Sequence, residues 1–351
     1  GPASYSYTFA EIYLPQADFD PSEIPLPFAN YLTFNDTTQK WSGFASEING
    51  LYWPLIPFPY VKSILQEIAD QLGVSFAGKL WENDEFSRLV FFNTKCLNGV
   101  DSETANEIYL KNHVPKIKVT DLLKDIGRFF NQIIIYDDRS STISFFHRQD
   151  LLSARLNDKL RYQVSTISQN FRERRKYRFE SPFKEEDVVA SDKVSDDPSD
   201  LTGISGGDQT TLVKTEFGTL PMRTYGGLFQ EVVPVSTMNF NEDNPNIFLF
   251  FSYRKSTRFA SGGSTVFDKV PFVRSDINYP PPVGEPKDLY GLQWKGGSGL
   301  FSRWWEPYVN ALIDAKVLKV RLMFTSKELS QFDPLTRYIL FSYICVFENL
   351  K

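Results

Sequence analysis

With 351 residues, the chain has room for two or three domains of ~100–200 residues each. Its 15% aromatic content (31 Phe, 17 Tyr), with 21 Pro and 20 Gly, favours many short strands and turns. A formal charge of −5 removes the electrostatic case for nucleic acid or an anionic membrane. No apolar run approaches the ~18 residues of a spanning helix, and two cysteines, Cys96 and Cys345, cannot alone build a disulfide framework or a zinc site.

Gly1–Ser4 reads as the scar of a protease site and not as part of the fold. Residues 5–53 alternate aromatic and polar side chains without a helical period. Within them Tyr5–Phe9, Tyr31–Phe34 and Lys40–Phe44 are predicted strands or aromatic loops. The Pro-rich run Leu51–Pro59 leads into an amphipathic helix at 61–73, with Val61, Ile64, Leu65, Ile68 and Leu72 on one stripe. Val74–Leu80, a turn at Asn83-Asp84 and Leu89–Phe92 then predict a β-hairpin. A polar connection at 94–112, with a short helix at Ser102–Leu110, precedes a second copy of this plan.

In that second copy Val119, Leu122, Leu123, Ile126 and Phe130 repeat the same steps. Gly73 and Asn131 hold the matched position after each stripe, and both residue types tolerate the left-handed conformation that closes a helix. Gln132–Tyr136, a turn at Asp137–Ser141 and Thr142–Phe146 form the second predicted hairpin. The two stretches read as a duplicated helix–β-hairpin unit. One such unit buries little, and two side by side can share a core.

Arg161–Phe179 is predicted as strands, with Arg172, Arg174, Arg175, Lys176 and Arg178 interleaved. The tract 184–211 is acidic and rich in Ser and Gly, almost without large apolar residues, and is predicted to be a mobile loop. Strand-like runs resume at Leu212–Phe217, Glu231–Thr237 and Ile247–Tyr253, and Asn278–Pro286 is an extended connection. Gly299–Ile313 carries aromatics and aliphatics at helical spacing, and Val317–Phe324 alternates as a strand. Thr325-Ser-Lys-Glu328 fits a capping box for a helical turn ending near Phe332, Asp333-Pro334 makes a turn, and Tyr338–Phe347 returns as a strand. The final Phe347–Lys351 stops in or just after that run, as expected of a piece of a longer protein. The domains are thus an aromatic N-terminal region with the first unit (5–112), the second unit (113–160) and a β-rich region (161–351).

Catalytic signatures fail on context. Gly73-Val-Ser-Phe-Ala-Gly78-Lys79-Leu80 nearly fits a phosphate-binding loop, but it runs helix to strand where that loop needs strand to helix. Leu80 also lacks the hydroxyl that binds magnesium. Gly203-Ile-Ser205-Gly-Gly207 fits a nucleophile elbow, yet Ser205 sits in the acidic tract, and both histidines, His113 and His147, precede it. Those histidines have no metal-binding spacing, and Asp192, Asp196, Asp197 and Asp200 lack the glycine and closing glutamate of a calcium loop. No pair among the 43 acidic residues stands out as the two carboxylates of a glycosidase. No catalytic, cofactor or metal residue is therefore assigned, and no enzyme activity is expected.

Several segments resemble tail-hub (baseplate) proteins of bacteriophages and prophages. They are Pro57–Leu65, Pro115–Leu123 with Phe130-Asn131, Leu292-Gln-Trp294 with Gly299–Phe301 and Trp304-Trp305, and Leu322–Phe347. The resemblance is one of apolar and turn pattern, and it leaves out the N-terminal aromatic segment and the acidic loop. It implies an α+β, β-rich fold: a tail-tube-like β-barrel with duplicated helix–β-hairpin units, in which Ser326–Phe332 is the helical turn between two barrel strands. It also implies a ring-forming homo-oligomer, trimeric as hub rings usually are, in the virion tail and made in the bacterial host cytoplasm. Its partners would be itself and other tail proteins, with no nucleic acid and no membrane span. Large interfaces favour Tyr, Trp and Phe, and Tyr31, Trp53, Trp304 and Trp305 are the candidate interaction residues. Two other readings stay open: a secreted carbohydrate-binding protein using such surface aromatics, and a cell-wall glycosidase attached to a tail.

Overall fold

A computed structural model describes residues 6–8, 12–13, 28–30, 32–35, 40–44, 47–48, 51–52, 55–93, 97, 108–157, 163–170, 176–180, 209–219, 222–225, 229–232, 247–261, 264–274, 291–292, 294, 299–314, 317–323, 325–333, 335–340 and 343–346. The N-terminal part holds short strands β1 (Tyr7–Thr8), β2 (Ile12–Tyr13), β3 (Phe28–Ala29), β4 (Leu32–Asn35), β5 (Lys40–Phe44), β6 (Glu47–Ile48), β7 (Leu51–Tyr52) and β8 (Phe58–Pro59). Helix α1 (Val61–Leu72), β9 (Ser75–Gly78) and β10 (Leu89–Phe91) follow, then α2 (Val119–Phe129), β11 (Gln132–Asp137), β12 (Thr142–His147) and the one-turn helix α3 (Asp150–Ser153). Beyond these lie β13 (Leu156–Asn157), β14 (Gln163–Asn170), β15 (Lys176–Glu180), β16 (Gln209–Lys214), β17 (Phe217–Gly218), β18 (Met222–Tyr225), β19 (Phe229–Val232), β20 (Ile247–Ser261) and β21 (Ser264–Arg274). The chain ends in α4 (Glu306–Asp314), β22 (Val317–Met323), α5 (Ser326–Gln331), β23 (Arg337–Leu340) and β24 (Tyr343–Cys345). This is a mixed α+β, β-rich fold of several small sheets and few helices, and among the described residues no sheet closes on itself. The acidic tract through residue 208 and the run 278–286 lie outside the described residues.

Both helices form where the apolar stripe predicts. Val61, Leu65 and Ala69 of α1 and Leu122, Ile126 and Phe129 of α2 are buried in one shared core. The opposite face of α1 is polar and bonds along itself, Gln66 to Asp70 (2.8 Å) and Gln71 to Glu67 (3.0 Å). Leu72, the last residue of the expected stripe, reaches past the core and is exposed. Gly73 closes α1 in the left-handed region at φ 68°, and Asn131 follows α2 at φ 52°.

The second unit is a helix–hairpin as expected. Strands β11 and β12 pair antiparallel from Gln132↔His147 to Asp137↔Thr142. Asp137 shapes the turn by accepting from the Arg139 N–H (3.1 Å) and the Ser140 hydroxyl (2.8 Å).

In the first unit the hairpin expectation is corrected. Strand β9 joins β12 in parallel, Ser75↔Thr142 to Gly78↔Phe145, and so completes the other unit's sheet in the order β11-β12-β9. Strand β10 pairs instead with β20, Leu89↔Phe251 to Phe91↔Leu249, and bridges to Tyr60. The physical reason lies in the side chains. Leu89, Val90 and Phe91 are apolar on both faces and all buried, which suits a strand covered on both sides rather than a half-exposed hairpin. Helical turns through residues 79–88, anchored by buried Leu80 and Phe86, carry the chain from one sheet to the other.

Two close approaches decide which residues fit at the joint. A Cβ on Gly78, at φ 106°, would lie 2.2 Å from the Phe145 carbonyl oxygen. A Cβ on Gly127 would meet Gln132 O and Ile134 Cδ1, each at 3.3 Å, where α2 packs on β11. The glycines that imitate a phosphate loop thus serve backbone geometry, Gly73 as a cap and Gly78 as the contact between strands.

Strand β20 also pairs antiparallel with the whole length of β21, Phe251↔Arg274 to Ser261↔Ser264, and in parallel with β17. At the C-terminal end α5 stands between β22, which pairs with β14, and β23, which pairs with β24 and β13. The capping box is formed in full. The Thr325 N–H donates to Glu328 Oε2 (2.7 Å), and the Glu328 N–H donates to Thr325 Oγ1 (3.3 Å). The Thr325 N–H, together with the Thr325 hydroxyl that also donates to Oε2 (2.8 Å), holds the Glu328 carboxyl below its usual range.

Candidate assembly surface

Of the four expected interaction residues, Tyr31 and Trp53 lie outside the described residues. Trp305 is corrected from surface to core: it is 4% exposed, with its ring edge-on to Phe179 at 5.3 Å. Helical spacing explains this. Trp305 shares the inward stripe with Phe301, Tyr308 and Val309, all buried.

Trp304, half-buried, sits at the seam between the aromatic helix and the β11-β12-β9 sheet. Its ring is edge-on to Phe130 (5.7 Å) and His147 (5.3 Å). Residues Phe301–Trp305 form a π-helical turn just before α4. The Trp304 carbonyl accepts from Asn131 Nδ2 (2.7 Å) and His147 Nε2 (3.1 Å). A carbonyl only accepts, so the bond requires hydrogen on Nε2. His147 is 5% exposed, and burial lowers its pKa below the usual histidine value. His113 is also buried, with Nδ1 3.4 Å from Asn93 Oδ1. Both histidines are thus placed inside the fold. Among the described residues no three His, Cys, Asp or Glu side chains converge on a point where a metal could sit.

Two charged residues, Lys79 from the phosphate-loop-like run and Asp125, act locally. Lys79, at the end of the phosphate-loop-like run, meets Asp150 at 2.9 Å in an exposed pair. Asp125 on α2 is buried; it pairs with Arg128 (3.3 Å) and accepts from the Glu216 N–H (3.3 Å). Burial raises its pKa despite those partners. Arg128 also donates to the Lys214 carbonyl (3.2 Å), so this pair ties α2 to the segment between β16 and β17.

The feature facing solvent is apolar. In the sheet β13-β23-β24, Tyr338 points inward at 0% exposure, while Ile339 (44%), Ile344 (61%) and Val346 (39%) point outward. Ile339 on β23 and Ile344 on β24 are cross-strand partners and Val346 lies two positions beyond Ile344, so three β-branched side chains share one face of this hairpin. Arg337 fixes this hairpin to the end of the second unit, donating to the carbonyls of Ala154 (2.6 Å) and Leu152 (3.2 Å). From within, Tyr338 accepts from the Asp333 N–H (2.9 Å), donates to the Asp333 carbonyl (2.7 Å) and stacks on Phe332 at 5.4 Å. On the β11–β12 hairpin Tyr136 and Phe146 are also exposed, singly and on opposite faces.

Aromatic counting missed the Ile339–Ile344 stripe because it has no ring in it. The available signal was a strand apolar at consecutive positions, Tyr338-Ile-Leu-Phe341 and Tyr343-Ile-Cys-Val-Phe347, where a half-exposed strand would alternate. Such stripes on soluble proteins mark contact surfaces. No helix among the described residues is long and apolar enough to cross a membrane. No family model, curated protein or solved structure matches the chain.

Proposed function

We propose that the chain is a structural component of a phage or prophage tail tip, of the hub type, which acts by assembling with copies of itself and with other tail proteins. The observation that carries this reading is the outward Ile339, Ile344 and Val346 stripe on an edge hairpin. A β-branched stripe exposed on a hairpin is stabilised when another chain covers it and removes its apolar surface from water. The succession β22–α5–β23 also has the strand, helical turn, strand order of the resembled barrel element. In the assembled ring those strands would be completed as a tail-tube-type barrel by neighbouring subunits.

Two experiments test the reading. Sedimentation of the full chain is expected to give a discrete oligomer that the double variant Ile339→Lys/Ile344→Lys converts to monomer, with its circular dichroism retained. Mass spectrometry and immunogold labelling of tail particles from the encoding host are expected to find the chain at the tube end. Purified particles that lack the chain would overturn the proposal.

A further inference from the structure

We propose that the seam joining the β11-β12-β9 sheet to the aromatic helix is an acid-sensitive latch, whose moving part is Phe301–Asp314 and whose sensor is His147. Two side chains of the second unit, Asn131 and His147, both donate to one carbonyl, that of Trp304. That carbonyl belongs to a π-helical turn, a rare helix form that occurs mostly as single turns and is frequent at functional sites. The two donors flank the hairpin base, Asn131 before β11 and His147 at the end of β12. The Trp304 ring is gripped between Phe130 and His147. The orientation of the helix start is therefore set by the hairpin base.

Burial decides the sign, outweighing the pull of Asp150 and of the bond to the Trp304 carbonyl toward the charged form. Asp150 on α3 would welcome an imidazolium, but Lys79 beyond β9 already pairs with Asp150 at 2.9 Å. Arg303, on the π-turn itself, and Lys79 both oppose a second positive charge there. Nε2 already carries the hydrogen given to Trp304, so an added proton goes to Nδ1, at a site almost closed to water. An open state in which His147 meets solvent takes that proton at the ordinary value, 6.5. Acid therefore favours opening. Leu300, Phe301, Trp305 and Val309 still hold the helix by burial, so the change is in the population of the open state and not wholesale release.

Hydrogen exchange on the full chain, corrected for intrinsic rates, reads this directly. Between about pH 7.5 and pH 5.5, protection of residues 301–314 is expected to fall, by at most about tenfold, the full gain of an open state whose histidine titrates at 6.5. In His147→Gln, which keeps an N–H donor for Trp304, protection is expected to be the same at both pH values. Equal loss in wild type and variant, or no loss in wild type, would overturn the proposal. Should the variant fail to fold, NMR titration of wild type decides. Only two histidines occur, and His113→Gln assigns the signals. His147 titrating at or above 6.5 refutes the latch, and titration below 6.5 supports it.

Discussion

Replacing Gly78 by Ala tests whether the union of the two units depends on one backbone contact. An added Cβ would stand 2.2 Å from Phe145 O, 2.9 Å from Phe145 N and 3.0 Å from Phe145 C. These are backbone atoms of the paired strand, so no side chain can swing aside to make room. Relief requires β9 and β12 to separate by about 1 Å, which breaks hydrogen-bond geometry at that end of the ladder. The residue also sits at φ 106°, outside the left-handed well that other residues can visit. We expect Gly78→Ala to cost more than about 4 kcal/mol, in the class of exceptional single substitutions. Gly73→Ala is the control. Gly73 has φ 68° and nothing within 4 Å of its added Cβ, so only backbone strain remains. That strain costs about 1–2 kcal/mol, offset by about 0.4–1 kcal/mol from the stiffer unfolded chain. Urea unfolding followed by tryptophan fluorescence measures both. Equal losses in the two variants would refute the argument that strand contact, rather than positive φ, makes Gly78 necessary.

Further predictions follow from single contacts. Tyr338→Phe keeps the stacked ring but removes both bonds to Asp333, and is expected to lower stability by about 1–3 kcal/mol in chemical denaturation. Asp125 has a folded pKa raised above 3.8, so its contribution is complete below that pH and is lost as pH rises through the folded value. Asp125→Asn keeps an acceptor for the Glu216 N–H and is expected to be at least as stable as wild type at pH 7. That advantage shrinks as the pH approaches 4, and a marked loss of melting temperature at pH 7 would count against it.

Local structure was legible from sequence wherever neighbouring residues decide it. The stripes of α1 and α2, the caps at Gly73 and Asn131, the Asp137 turn and the Thr325–Glu328 box all depend on residues within a few positions of one another. Partner choice was not legible in this way. Nothing near β9 says that its mate is β12, because the selection is made by Phe76 and Phe145 meeting in a shared core at 5.7 Å. The β20–β21 hairpin did have a local sign, the Gly262-Gly263 dipeptide between two strand-like runs. For the candidate surface, tryptophan and tyrosine were the wrong markers. Helical spacing carries Trp305 inward, whereas plain aliphatic side chains on a short hairpin stay outside.

The parallel union of β9 with β12 also dictates an order of events during folding. The β11–β12 hairpin closes over a few residues, on a scale of about 1–10 μs. Ser75 must find Thr142 across 67 positions of chain, so its ladder forms only after that long loop is drawn in. Until then the far edge of β12 stands vacant, and the Ser75–Gly78 segment of a sister chain matches it as well as the chain's own. Crowded refolding is therefore expected to yield strand-exchanged dimers at this edge, and dilution to suppress them.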